Sequence, residues 1–306
     1  MQSLCLPTMS NQKKTAKPLA LLSLLALSSL SANAASTYSV SFNDPFGQAT
    51  SLYSAIDMHV GAALATWGAS LPGSANVAVR VDISDATPRA TGTSATSGFV
   101  RAAPSHNIFE QGLAYELRTG IDPNGAAADV VLTFNPNYLA NELWFDPSPT
   151  LRSATVVGNR TDAMSVFLHE FGHAIGFNGW GDELTGTPPA TYRSTWDDLV
   201  SYDGANTFFN GAMAVSLYGA PVPITYGNNF HLGNLTGPGA SLLPDLMNGV
   251  VFNRGTRYNV SSLDLAILSD MGVGVLAITP VPEPATYAML AMGLLALGWR
   301  ANRHVH

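Results

Sequence analysis

The segment His169-Glu170-Phe171-Gly172-His173 constrains this chain more than any other. It lies in a largely apolar run over 161–176. Thr161 is placed to cap a helix there, Asp162 suits the positive end of its dipole, and Gly176 can end it. Residues four apart on a helix share a face, so His169 and His173 can reach one ion. Zinc accepts neutral imidazole nitrogen and prefers four ligands, often leaving one position to water in catalytic sites. Such an ion lowers the water pKa to about 7 and polarises a carbonyl. Glu170, beside the first histidine, can take the water's proton and deliver it to a leaving amine. The motif thus predicts His169 and His173 as metal ligands, Glu170 as the catalytic residue, and one zinc ion.

Composition narrows the search for a third ligand. The only cysteine is Cys5, so the rest of the chain has no disulfide, thiolate ligand or Cys nucleophile. Three sets of candidates follow the motif. Asp182 and Glu183 lie just beyond it. Asp197 and Asp198 lie at a separation resembling that of the distant acidic ligand in gluzincins. His231 stands in Phe230-His231-Leu232. His59, inside an expected helix, and His106, in an expected loop, are not expected on the metal.

Gly176, three residues after the second histidine, resembles the metzincin pattern of zinc proteases, where a glycine allows a sharp turn toward a third ligand. In most metzincins that ligand comes three residues further on, and here that position is Gly179. The continuation Gly176-Phe177 resembles the leishmanolysin branch, where the third histidine follows a long insertion and a Met-turn comes soon after. This resemblance implies His231 as third ligand and Met247, in Leu246-Met247-Asn248, as an apolar floor under the histidines. The stretch 259–272 is similar to the last helix of secreted metzincins, with Leu265, Leu268 and Met271 packing inward and Asp264 favouring the dipole.

The implied fold is α+β and two-lobed. A twisted mixed sheet and the active-site helix form an upper lobe over about 35–176. A loop-rich lower lobe over about 177–276 ends in a helix. The implied activity is that of a secreted zinc endopeptidase acting on protein or peptide substrates. The alternative is a non-catalytic exported matrix or adhesion protein with a structural zinc site. Tyr226 and Tyr258 are candidate donors to the oxyanion. The many Asp-bearing loops leave room for calcium, but no EF-hand spacing supports it.

Both ends read as addresses. Lys13, Lys14 and Lys17 precede an apolar run over 19–30 and the small-residue site Ala32-Asn33-Ala34, which together resemble a signal peptide over 1–34. Met9 offers an alternative start. At the other end, Pro282-Glu283-Pro284, an apolar run over 285–299, then Arg300 and Arg303 resemble the PEP-CTERM sorting tags of Gram-negative bacteria. That run is short of the ~20 residues of a comfortable membrane span. The resemblance implies transient anchoring in the inner membrane over 281–306, processing by an exosortase-type enzyme after signal peptidase, and release to the cell surface or medium. Between the ends, nine arginines against 20 acids leave a net charge of −11, which disfavours nucleic acid as a partner.

The remaining pattern predicts a helix over 52–67, a half-buried strand over 76–83 and mostly loop over 84–107. A helix is expected over 108–118, and an edge strand over 128–134 able to pair with an extended peptide. A last helix is expected over 262–271, capped by Ser261 or Ser262.

Overall fold

The computed structural model describes residues 36–233 and 241–276. Mixed α and β elements surround one apolar core. Strand β1 (Thr37–Asn43) leads through helix α1 (Tyr53–Gly68) to β2 (Asn76–Ile83), which pairs with β1 in parallel. Val77, Val79, Val81 and Ile83 of β2 are buried while the residues between them are not, as the period of two requires. On its other side β2 pairs in parallel with β6 (Val130–Phe134), and β3 (Ala90–Ser94) closes the sheet antiparallel to β6. The order is β1-β2-β6-β3.

Two expectations change here. The 128–134 strand is central, because β2 and β3 flank it, and it has no free edge for a peptide. The edge belongs to β3, in a stretch read as loop. Its Thr and Gly content hid it, since its stability comes from pairing with β6 rather than from its own apolar residues.

A second sheet pairs β4 (Ser97–Ala102) with β5 (Asn107–Gln111) as a bulged antiparallel ladder, and β9 (Tyr192–Ser194) joins β5 in parallel. The expected 108–118 helix is therefore divided: β5 takes Ile108 to Gln111, and α2 runs only from Gly112 to Thr119. Strands β7 (Leu143–Trp144) and β8 (Thr161–Asp162) form a short parallel pair before α3 (Ala163–Ile175).

Every residue of α3 is buried. A helix with so little polar surface needs cover on all sides. The sheet covers one side through β3, α1 another, and the C-terminal helix α5 (Ser262–Asp270) its end. Trp67 of α1 donates its indole N–H to Leu168 O at 3.0 Å, joining the two helices. The cap of α3 is Asp162 rather than Thr161: its carboxylate accepts from the Ser165 N–H at 3.1 Å and pairs with Arg152 at 2.8 Å. Thr161 is held in β8.

After α3 the chain forms a small antiparallel sheet of β10 (Val200–Tyr202), β11 (Thr207–Phe209) and β12 (Val222–Pro223), with α4 (Ala212–Tyr218) between the last two. Helix α5 begins with a capping box, Ser261 and Asp264 each bonding the other's backbone N–H. Asp264 thus does more than favour the dipole.

Candidate metal centre

Helix α3 presents His169 and His173 one turn apart, and a distant loop brings His231 to them. The Nε2 atoms of His169 and His173 lie 3.1 Å apart, and His231 Nε2 lies 3.1 Å from the first and 3.0 Å from the second. The loop is held in register from both sides. Thr225 N–H donates to His231 O, and Leu232 N–H donates to Met247 O.

The hydrogen bonds on the far sides of the rings define what can sit among them. His169 Nδ1 contacts Leu246 O at 2.8 Å and His173 Nδ1 contacts Phe177 O at 2.6 Å. A carbonyl only accepts, so both Nδ1 atoms carry the proton and both Nε2 atoms present lone pairs to each other. Burial holds His169 at a pKa of about 3 and His173 at about 4, so no proton settles between them at neutral pH. Burial and the two neighbouring imidazoles lower His231 as well. Converging lone pairs without a proton call for a cation. Tetrahedral zinc with bonds of about 2.0–2.1 Å spaces its ligands by ~3.3 Å, so this triad fits a zinc ion with a small outward movement.

Among the described residues these three histidines are the group able to hold a metal. Three of the four acidic candidates are engaged elsewhere, and Glu183 is exposed and outside the group. Asp197 accepts from the N–H groups of Trp180, Gly181 and Ser194 at 3.0, 3.1 and 2.9 Å. Its carboxylate fills the space where a side chain on Gly179 would point. Asp198 pairs with Arg101 and His106, and Asp182 caps the turn at Leu184 and Thr185. His59 bonds Ala55 O and the Asp146 N–H inside the core.

Glu170 lies beside the triad, and burial pushes its carboxyl up to about 8, offset in part by the Gly92 N–H. Gly92 of β3 packs on the Glu170 backbone so closely that a side chain there has no room. The cleft above holds about 530 Å³ and is lined by His169, Glu170, His231, Arg89, Tyr138 and Glu142, among others.

Beneath the histidines, Met247 is fully buried against Gly172. The turn after α3 has a different cause from the one expected. Gly176 has φ −171°, extended backbone open to any residue. Its glycine is required by close approach: a Cβ would lie 2.7 Å from Met271 Cε and 2.8 Å from Leu268 Cδ2 of α5.

Neither expected oxyanion donor lines the cleft. Tyr226 is 51% exposed and is not among the cleft-lining residues, and Tyr258 is buried against Phe252, its hydroxyl accepting from the Asn253 N–H at 3.0 Å. Tyr138 lines the cleft instead, its phenol raised to about 12 chiefly by burial and in part by Glu170. The sequence around it, Asn135-Pro136-Asn137, reads only as the end of a strand.

Residues 280–303 match the PEP-CTERM protein-sorting motif. That motif marks an exported bacterial protein that is sorted at a membrane and processed by an exosortase-type enzyme. No curated protein and no solved structure matches the chain. The motif, like the expected signal peptide, lies outside the described residues. No helix among the described residues is long and apolar enough to cross a membrane.

Proposed function

We propose that this exported chain is a zinc-dependent endopeptidase of the metzincin type, leishmanolysin-like in taking its third histidine from far along the chain. The observation that carries the reading is the buried Glu170 carboxyl beside three converging imidazole Nε2 atoms at the base of an open cleft. Zinc, when bound, supplies Lewis acidity and a water of lowered pKa.

The chain's own residues do the rest. The carbonyls of Leu246 and Phe177 orient His169 and His173. Glu170 accepts a proton from the attacking water and hands it to the leaving amine. A positive ion nearby draws the Glu170 pKa down from about 8 toward the carboxylate form this step needs. Strand β3, free on its outer edge among the described residues, pairs with an extended peptide, and Gly92 fixes it against Glu170. Tyr138 is the cleft hydroxyl available to the oxyanion. The two-lobed architecture and release to the cell surface or medium belong to the same proposal.

The test is Glu170→Gln. Zinc stoichiometry stays at one per chain while cleavage of a casein or peptide-library substrate falls by a factor of about 10²–10⁴. Undiminished cleavage by this variant defeats the mechanism. Absence of any cleavage by the zinc-loaded wild type, with unfolding on zinc removal, points to the matrix or adhesion alternative with a structural ion.

A further inference from the structure

The cleft above the metal centre carries one positive charge without a counter-charge among the described residues. Its formally charged lining residues are Arg89, Glu142, Glu170 and Arg254. Arg254 pairs with Glu142 at 3.2 Å, so those two cancel. Glu170 belongs to the metal centre, and burial keeps the three histidines neutral. Arg89 is exposed and forms no ion pair among the described residues. This free cation stands in a domain whose net charge between the two tagged ends is −11.

Arg89 is fixed through its backbone, and its side chain takes no part in that. Its carbonyl accepts from the Asn135 N–H at 2.8 Å. The Asn135 side chain donates to Thr87 O at 2.9 Å and accepts from the N–H groups of Asn137 and Tyr138 at 2.9 and 3.2 Å. One asparagine therefore holds the start of β3 and the segment carrying Tyr138 on the same rim of the cleft. The Arg89 charge also acts on Tyr138, partly offsetting the burial that raises its phenol.

The place of Arg89 along the chain sets which substrate residue it meets. Gly92 packs on the Glu170 backbone, so the reacting bond lies beside it. Arg89 is three residues earlier, which is about 10 Å at the ~3.3 Å rise of an extended strand. A peptide paired with the β3 edge rises equally, so its residue beside Arg89 is two or three from the bond that is cut. A guanidinium binds carboxylates through charge-assisted hydrogen bonds, and a cleft focuses its field. We propose that Arg89 selects acidic substrates, pairing with an Asp or Glu side chain two or three residues from the scissile bond. This inference rests on the endopeptidase reading and names its substrate class.

The test uses the full, zinc-loaded chain and short alanine-rich peptides with one Glu walked along the sequence, each with a Gln twin. With Glu two or three residues from the cut bond, kcat/KM is about tenfold above that of the Gln twin, and the peptide binds the Glu170→Gln protein about tenfold more tightly. Arg89→Ala removes the difference. Arg89→Glu reverses it in favour of a Lys peptide with the charge at the same position. Both variants alter an exposed side chain and keep the backbone bond to Asn135. Removing the paired charges together, as Glu142→Ala with Arg254→Ala, leaves the acidic preference in place. Equal handling of Glu and Gln peptides overturns the proposal, as does an acidic preference that survives Arg89→Glu or vanishes only with the Glu142 and Arg254 changes. If the wild type cuts nothing while Glu peptides bind in an Arg89-dependent way, the endopeptidase reading fails and the acidic-peptide site stands. Absence of both cleavage and Arg89-dependent binding defeats the two together.

Discussion

Gly172 lies directly against the sulfur of Met247: a Cβ at position 172 would stand 2.6 Å from Sδ and 3.0 Å from Cε. Position 172 is the fourth residue of the His169–His173 turn, so the close contact seats that turn of α3 on the segment carrying Leu246 O. Met247 is fully buried and cannot swing into solvent.

Gly172→Ala therefore overpacks the floor of the site. The expected loss is about 1–3 kcal/mol of stability in denaturant titration, with weaker zinc retention. The double variant Gly172→Ala with Met247→Ala recovers part of the loss that either change causes alone. Strictly additive effects in that cycle would show the two side chains uncoupled.

His231→Ala removes one of three converging nitrogens and is expected to lower zinc affinity by at least an order of magnitude, measured by competition with a chromophoric chelator. Asp198→Ala leaves affinity unchanged, because that carboxylate is engaged with Arg101 and His106. The reverse pattern assigns the third ligand to the acid.

Asp197 has a structural task. Asp197→Ala leaves the N–H groups of Trp180, Gly181 and Ser194 without their acceptor. A loss of about 2–4 kcal/mol is expected in chemical unfolding, with zinc still bound at one per chain. Loss of zinc at unchanged stability contradicts this role.

The zinc-free metal centre is expected to contribute most to stability near pH 6.5. An unfolded histidine titrates near 6.5, whereas His169 and His173 are held at about 3 and about 4, and His231 is lowered too. Below pH 6.5 the unfolded chain binds protons that the folded chain refuses, so stability falls with acid. Glu170 acts in the opposite sense. Its folded value of about 8 lies above the ordinary 4.5, so its contribution is complete below pH 4.5 and is lost as pH rises through 8. Within the centre, between 4.5 and 6.5, three histidines outweigh one glutamate, and each net proton contributes a slope of roughly 1.4 kcal/mol per pH unit; elsewhere burial raises Asp264, Glu116 and Asp129 and lowers His59, so the centre's share is read by difference. Chelator-treated wild type, His169→Ala and Glu170→Gln unfolded in denaturant from pH 5 to 8 check this; the same pH slope in wild type and both variants refutes it.

Local patterns in the chain were legible where one element carried its own signal. The 76–83 strand alternates Val77, Val79, Val81 and Ile83, and the structure runs it from Asn76 to Ile83. The α5 cap was readable from Ser261 and its neighbours. Strand β3 was not, because Ala90-Thr91-Gly92-Thr93-Ser94 becomes a strand only when β6 is beside it. Residues 108–111 looked helical because a short apolar run fits both periods. Tyr138 gave no signal, since a cleft residue is defined by what the chain folds over it.

By itself the sequence determined the His169-Glu170-x-x-His173 spacing and the C-terminal sorting motif, because helical spacing and linear tags are properties of contiguous residues. It left His231, three aspartates and Glu183 as rival ligands, since spacing along the chain does not measure distance across loops. Tertiary structure decided among them. It brought His231 Nε2 within 3.1 Å of both helix histidines and gave Asp197 to three backbone N–H groups. The physical reason is that buried polar groups must find partners, and those partners exist only once distant segments pack together.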